Sequence, residues 1–286
     1  MFTPCYALHA KEYICRKLKD SGDIVAESAA EPAGFMHPSI LRVIEQKKRV
    51  KERLKDIKHR IGVYSAKGGV GKTTTAVNLA YALKSLGYNV GLLDADIDCP
   101  NISLFMGIDS KSDGTYPLKP VEKDGIKIMS TAMLMDDERK PIIWRGPMIG
   151  KMVSEFLENT EWGSLDYLVL DMPPNTSDAP LSIIQLLDLD GFLLVTTPQH
   201  ISAVNTVRSG RMAKRLGASL IGVVENMSKG NPEGGRYVAN ELGCEFLGSI
   251  KESDEMWRLS DKGIIPFISD QGIREEYISI ARKIIG

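Results

Sequence analysis

The chain has 286 residues, enough to bury one large core, and its 36 lysines and arginines nearly balance 37 aspartates and glutamates. That balance excludes a globally basic nucleic-acid binder, although a local patch stays open, and no apolar run reaches the ~18 residues of a membrane span. Cys5, Cys15, Cys99 and Cys244 form no CxxC pair and no secretory pattern opens the chain, so a zinc ribbon and a disulfide framework are not indicated and a cytoplasmic setting is expected.

Residues 1–20 can hold a short helix carrying Cys5 and Cys15, whose separation matches no standard ligand spacing. Residues 21–36, SGDIVAESAAEPAGFM, are small and polar and read as a linker, which puts a boundary between an extension, 1–36, and a main domain, 37–286. Pro38 sits where the first turn of a helix takes it, and Ile40, Val43, Ile44, Val50, Leu54 and Ile57 follow at helical spacing. The other face carries Lys47, Lys48, Arg49, Lys51, Arg53, Lys55 and Lys58. Because Glu45, Glu52 and Asp56 lie within pairing distance, a docking helix with a solvated basic face is favoured over a patch for an anionic partner.

Ile61 to Thr75, IGVYSAKGGVGKTTT, carries the chemistry. Ile61, Val63 and Tyr64 suit a short buried strand, a glycine-rich turn follows, and Thr73 opens a segment with Ala76, Leu79, Ala80 and Leu83 at helical spacing. Strand, glycine loop, Gly-Lys-Thr and helix together are the setting of a phosphate-binding loop. Gly68, Gly69 and Gly71 let the backbone N–H groups around Val70 converge on one anion, and the helix N-terminus adds positive potential. Lys72 can reach terminal phosphates, the Thr73 hydroxyl can ligate Mg²⁺, and Thr74 completes the binding set, so ATP with Mg²⁺ is the expected ligand pair.

Val90 to Leu93 form a second strand running into Asp94, Ala95 and Asp96. Carboxylates at the carboxyl end of a parallel strand face the ligand crevice, and a pair one residue apart suits metal-water contact and orientation of an attacking water. Residues 107–125 read as loop and Ile126 to Met129 as strand. Gly146 and Pro147, within IIWRGPM, break one element before a helix at Ile149 to Leu157. Tyr167 to Leu170 is an apolar strand ending in Asp171, the placement of a carboxylate that holds Mg²⁺ through water. Phe192 to Thr196 and Leu220 to Val224 are further strands around a helix from about Ser202 to Leu216. Just past them, Asn226 can offer both a donor and an acceptor to an adenine edge. A last strand, Phe246 to Ile250, precedes a helix at Ile273 to Ile285 with Ile273, Tyr277, Ala281 and Ile284 on one face. Carrying two glutamates, that helix is expected to pack on the sheet rather than lie on a membrane.

KGGVGKT has Ala66 where a P-loop usually begins with glycine, and Lys67 just before Gly68. It resembles the deviant Walker A loop of the ATPase group containing MinD, ParA, the nitrogenase iron protein and the Mrp family. DADIDCPN and DMPPNTSD are similar to that last family's DADIxGPN/S and DxPPGTxD segments, and WRGPM, VTTPQ and GVVENMS match it too. Over about residues 40–270 the chain is identified as a member of the Mrp/Nbp branch. The resemblance implies an α/β P-loop NTPase with a doubly wound, mainly parallel sheet behind an N-terminal helical extension. It implies a slow ATPase whose family carries iron–sulfur clusters to apoproteins, working as a homodimer with ATP at its centre. Lys67 would reach the partner copy's nucleotide and act with Lys72 and Asp96, which positions the hydrolytic water; Asp94 would lie near Mg²⁺ and Asn226 would read the base. An apo iron–sulfur protein or assembly factor is the expected client, and no nucleic acid.

Two family glycines are replaced, by Cys99 and Asn175, while Asp178 is retained. Asn175 then has to adopt the glycine's backbone conformation, which asparagine tolerates better than most residues. In the family a CPxC segment follows ENMS and lets two subunits hold a bridging 4Fe–4S cluster. Here ENMS runs into KGNPEGGRYVANELG, so that thiolate pair is missing. Cys244 is expected to be buried rather than a ligand. Cluster carriage or assembly is the function expected; the alternatives are a cluster-free partner-loading or maturation ATPase and a MinD/ParA-like positioning ATPase.

Overall fold

The computed structural model describes residues 38–110, 117–134, 146–175, 180–181, 183–184 and 187–286. The expected helix with Cys5 and Cys15, the linker of residues 21–36, Trp144 and Arg145 of the WRGPM segment, and Asp178 lie outside the described residues. Helix α1, Pro38–Arg53, straddles the division between the two units of the chain, 1–45 and 46–286, and the second of these holds the sheet. Its described elements run β1 (Ile57–Tyr64), α2 (Lys72–Ser85), β2 (Val90–Asp94), α3 (Ile102–Phe105), β3 (Val121–Lys123), β4 (Ile126–Met129), a 3₁₀ turn (Thr131–Leu134), α4 (Gly146–Asn159) and β5 (Leu165–Asp171). They continue with β6 (Gly191–Thr196), α5 (His200–Arg215), β7 (Leu220–Ser228), α6 (Glu233–Leu242), β8 (Phe246–Lys251), α7 (Asp254–Asp261), α8 (Pro266–Ser269) and α9 (Gln271–Ile285).

Eight strands form one sheet in the order β3-β4-β2-β5-β1-β6-β7-β8. Every neighbouring pair is parallel except β3 with β4. The chain leaves β1 toward β2 on one side and later builds β6, β7 and β8 on the other. Connections therefore diverge above the carboxyl end of β1 and leave a crevice there. Successive side chains of the central strands go to opposite layers. Ile61, Val63, Leu92, Val169, Leu193 and Val195 pack with α2 and α9. Tyr64, Leu93, Leu168, Leu170, Phe192 and Leu194 pack with Val50, Leu54 and the inward sides of α4, α5 and α6. Because both faces are covered, these strands read as continuous apolar runs rather than alternating ones.

Three boundaries differ from the sequence reading. Ile57 keeps the helical spacing of α1 yet begins β1, pairing in parallel with Leu165, because the backbone turns after Arg53 and the strand ladder takes over. Lys55 and Lys58 thereby leave the basic helix face, and Lys58 Nζ donates to Asp166 at 2.8 Å. Residues 107–125 contain β3, joined to β4 through Asp124 and Gly125 with φ of 50° and 72°. Asp-Gly is the signal of a two-residue hairpin and makes that strand legible in retrospect. Gly146 and Pro147 lie in the first turn of α4, where the missing proline N–H has no intrahelical partner to lose.

Helix α9 buries Ile273, Tyr277, Ile280 and Ala281 in the α2-side layer, so the expected docking face is borne out. No described helix is long and apolar enough to cross a membrane. Ile280 is 1% exposed, and its replacement by alanine is expected to cost about 2–5 kcal/mol in urea unfolding. A loss below about 0.5 kcal/mol would show that α9 stands outside the cooperative core.

Candidate functional site

β1 ends at Tyr64 in the middle of the sheet, and Ser65 to Gly71 turn above it before α2 starts. Ser65 Oγ donates to the Lys67 carbonyl at 2.9 Å, and Thr75 Oγ1 donates to the Gly71 carbonyl at 2.8 Å, so the flanks of the loop close it. Gly69 and Gly71 hold φ of 79° and 85°, where a side chain is strained. A Cβ on Gly68 or Gly69 would meet open space, whereas one on Gly71 would come within 1.9 Å of Asn226 Nδ2. Asn226, buried near the end of β7, donates from Nδ2 to the Val70 carbonyl at 2.9 Å. The side chain is thus a support behind the loop.

Three carboxylates gather under this turn. Asp94 and Asp171 are register partners at the ends of β2 and β5. Asp171 accepts from Lys72 Nζ through Oδ1 at 2.7 Å and from Thr73 Oγ1 through Oδ2 at 2.6 Å. Asp96 lies 3.6 Å from Lys72 Nζ. Asp94 turns into the protein: Oδ1 accepts the Asp96 N–H at 3.2 Å, and Oδ2 accepts the Ile102 N–H and the Ser130 hydroxyl, both at 3.1 Å. It ties the turn bearing Asp96 to the start of α3 and the end of β4.

Burial pushes the Asp94 carboxyl well up, and the Asp171 charge beside it adds to the shift. Burial likewise pushes Asp96 up to about 6, with Lys72 opposing. For Lys72 burial alone would lower the ammonium, but Asp171, Asp96 and Asp94 together outweigh it and hold it above the usual lysine range. The cluster carries more negative than positive charge, so it is built to accept a further cation. Thr73 Oγ1 and Asp171 Oδ2, both hard oxygen donors at the foot of the loop, fit Mg²⁺ completed by phosphate and water oxygens.

A cleft of about 650 Å³ opens over the loop, within the range of ligand pockets. Lys67, Thr74, Asp96 and Cys99 are among the residues that line it. Lys67 is exposed and makes no ion pair among the described residues. Leu104 and Phe105 of α3 and Ser260 and Asp261 of α7 also line the cleft, and these four are absent from the sequence reading. Nothing in the spacing of those four sets them apart. They arrive because α3 is followed by Gly107, whose bare Cα lets the backbone of Gly263 approach. Asn175 takes φ of 75° as expected, donating its N–H to the Ser65 carbonyl at 3.2 Å and accepting from Tyr64 Oη at 2.5 Å.

Cys99 is exposed in the turn after the carboxyl end of β2, and Cys244 is half-buried just before the amino end of β8. The strands from β2 across to β8 are all parallel, so these thiols sit at opposite edges of the sheet. Cys244 is less buried than expected. Burial, then the carboxylates of Asp96, Asp98 and Asp94, push Cys99 up and keep it a thiol rather than a thiolate. Among the described residues no group of three or more His, Cys, Asp or Glu side chains can hold a metal ion by itself.

The family model described as ParA, NUBPL iron-transfer P-loop NTPase, matches residues 56–285. A Methanocaldococcus jannaschii protein named iron-sulfur cluster carrier protein is 41% identical over 262 residues, covering 84% of this chain and 89% of its own length. A Dictyostelium discoideum protein named iron-sulfur cluster transfer protein NUBPL is 38% identical over 253 residues, covering 82% and 78%. Among solved structures, a nucleotide-binding protein from Archaeoglobus fulgidus in complex with ADP superimposes with a TM-score of 0.66 at 33% identity, covering 77% of this chain and 92% of its own. The cell division ATPase MinD of Pyrococcus furiosus, with a TM-score of 0.62 at 20% identity over 80% and 99%, shares the fold.

The positive φ of Asn175 yields a stability test. Asn175→Ala is expected to lose about 1 kcal/mol in urea unfolding, because alanine has no polar side chain to offset the left-handed conformation, while Asn175→Gly holds wild-type stability or better. Equal stability of the alanine variant would mean that the turn relaxes to negative φ.

Proposed function

Because the chain belongs to the iron-transfer P-loop NTPase family, we propose that it is a homodimeric ATP switch acting in iron–sulfur cluster transfer. The observation that carries this reading is the Lys72, Thr73 and Asp171 constellation beneath the glycine loop. The N–H groups of Gly68 to Thr74 cradle the phosphates, and Lys72 turns its ammonium onto them. Thr73 and Asp171 would hold Mg²⁺, which would supply positive charge against the phosphates. Asp96 orients the attacking water from the cleft wall. Asp94 works from one layer back, fixing the turn that presents Asp96 in the metal's neighbourhood. Lys67, exposed on the rim, reaches the nucleotide of a second copy, while Asn226, expected to read the base, has its amide on the Val70 carbonyl, is not among the residues lining the cleft and supports the loop from behind. Hydrolysis is slow and coupled to a change in partner affinity.

The cluster is cargo. Cys99 and Cys244 stand at opposite edges of the sheet and the CPxC pair is missing, so we place part of the ligand set on a client or assembly factor that brings its own cysteines. The same observation favours one second reading, a partner-loading or maturation ATPase that handles no cluster. In either case the nucleotide switch is the same.

Lys72→Ala is expected to weaken ATP binding by at least about 100-fold in a calorimetric titration, since it removes the cation nearest the phosphates. Near-wild-type affinity would mean that the cradle is wrongly assigned. Asp96→Ala is expected to keep ATP affinity and slow hydrolysis by about 10²-fold, and an unchanged rate would move water positioning to another group. Anaerobic treatment with iron and sulfide, read by absorbance and iron content, is expected to give the same cluster yield in wild type and in the Cys99→Ser, Cys244→Ser double variant. A cluster lost on that double substitution would make one of these thiols a ligand.

A further inference from the structure

We propose that the Tyr64 hydroxyl is a positioning group for ATP hydrolysis, tying the turn that follows Asp171 to the root of the glycine loop. The inference rests on the reading of the cleft as an ATPase site and adds to it a residue that does not line the cleft. Tyr64 closes β1 and is fully buried, its ring edge-on to Phe192 with the centroids 5.9 Å apart. Apolar packing accounts for the ring but not for its hydroxyl. That hydroxyl donates to the Asn175 carbonyl at 2.5 Å. Burial pushes the phenol up to about 12, which keeps it a donor across the physiological range. Ser209 Oγ of α5 faces the phenol and opposes that shift, but among the described residues it meets no hydrogen-bond geometry, so the Asn175 carbonyl is the partner that counts.

The sequence of the turn makes this tie necessary. Met172 donates its N–H to the Val63 carbonyl at 3.1 Å, but Pro173 and Pro174 have no N–H with which to continue the ladder. The next donor is Asn175, whose N–H reaches the Ser65 carbonyl at 3.2 Å while its φ of 75° lies where a side chain is strained. One long bond is a weak hold on a strained residue, and the Tyr64 hydroxyl supplies a second on the same residue. Between the anchored Met172 and Asn175 stands Pro174, which lines the cleft together with Lys67, Lys72 and Asp96. Ser65 completes the frame, because its carbonyl holds Asn175 while its Oγ holds the Lys67 carbonyl at 2.9 Å. Tyr64 and Ser65 thus fix the segment after Asp171 and the loop bearing Lys67 against one another. Hydrolysis needs the phosphates on the loop and the water at Asp96 held at reacting distance, and a displacement of about 1 Å is enough to spoil that geometry. ATP affinity draws on the loop amides and Lys72 and depends less on the turn. Deleting the hydroxyl alone therefore separates the two: catalysis suffers and binding does not.

The test compares two full-length variants that each lose one buried tyrosine hydroxyl. Tyr64→Phe keeps the ring and its packing on Phe192. Tyr81→Phe is the matched control on α2, where the hydroxyl donates to Asp124 between β3 and β4 at 2.6 Å. Tyr64→Phe is expected to bind a fluorescent, non-hydrolysable ATP analogue within about twofold of wild type and to lose about tenfold in kcat, the rate equivalent of one hydrogen bond. Tyr81→Phe is expected to keep both affinity and kcat. Introducing 3-fluorotyrosine at position 64, which retains a hydroxyl, is expected to restore the rate. A wild-type kcat in Tyr64→Phe overturns the inference, as does an affinity that falls as far as kcat. An equal loss of rate in Tyr81→Phe, or 3-fluorotyrosine that fails to restore it, also overturns it, since either would mean general loosening rather than one tie. Wild type that binds no analogue would instead defeat the reading of the cleft, and this inference with it.

Discussion

A buried lysine held by a buried aspartate, Lys72 on Asp171 at 2.7 Å, is the contact around which the rest of this molecule is arranged. Such a pair is expensive, because two charges lose their water and regain less than they gave up unless every remaining lone pair is satisfied. The fold meets that condition from three directions. Thr73 fills the second oxygen of Asp171, Asp96 stands near the ammonium, and Asp94 is held by two backbone N–H groups and the Ser130 hydroxyl. Large apolar layers cover each side of the strands, and their burial offsets this cost.

The loop above the pair depends on residues that are not part of it. Gly71 needs both a positive φ and room for Asn226, whose amide is bonded to the Val70 carbonyl. Asn175 reproduces at φ 75° a conformation usually left to glycine, and it bonds back to Ser65 and Tyr64 at the root of the loop. The glycine loop is therefore held from β7 at Val70 and, at its root, from the segment after β5.

Among the described residues, the two cysteines do not converge on a ligand set for cargo. Cys99 belongs to the nucleotide edge, among carboxylates that keep it protonated, and Cys244 belongs to the opposite edge, half-covered by the α5–α6 layer. Thiolates and convergence are both needed to ligate a cluster, and these two side chains offer neither together. The Lys72, Thr73 and Asp171 constellation is present while the family's CPxC pair is not. The division of labour with a partner that we propose rests on that mismatch.

Local pattern alone determined the strand–loop–helix of residues 61–85, the carboxylate-ended strands at Asp94 and Asp171, and the docking face of the last helix. Each is a short-range property: periodicity, glycine conformational freedom, or a polar residue at the end of an apolar run. The same locality misled at Ile57, whose helical spacing fits α1 although long-range pairing with Leu165 makes it the first residue of β1. Only the tertiary structure decided that Asp94 faces inward while Asp171 takes Lys72, that Asn226 braces the loop, and that Leu104, Phe105, Ser260 and Asp261 complete the cleft. Those facts rest on parallel register and helix packing between segments far apart in the chain, and no window of sequence contains them.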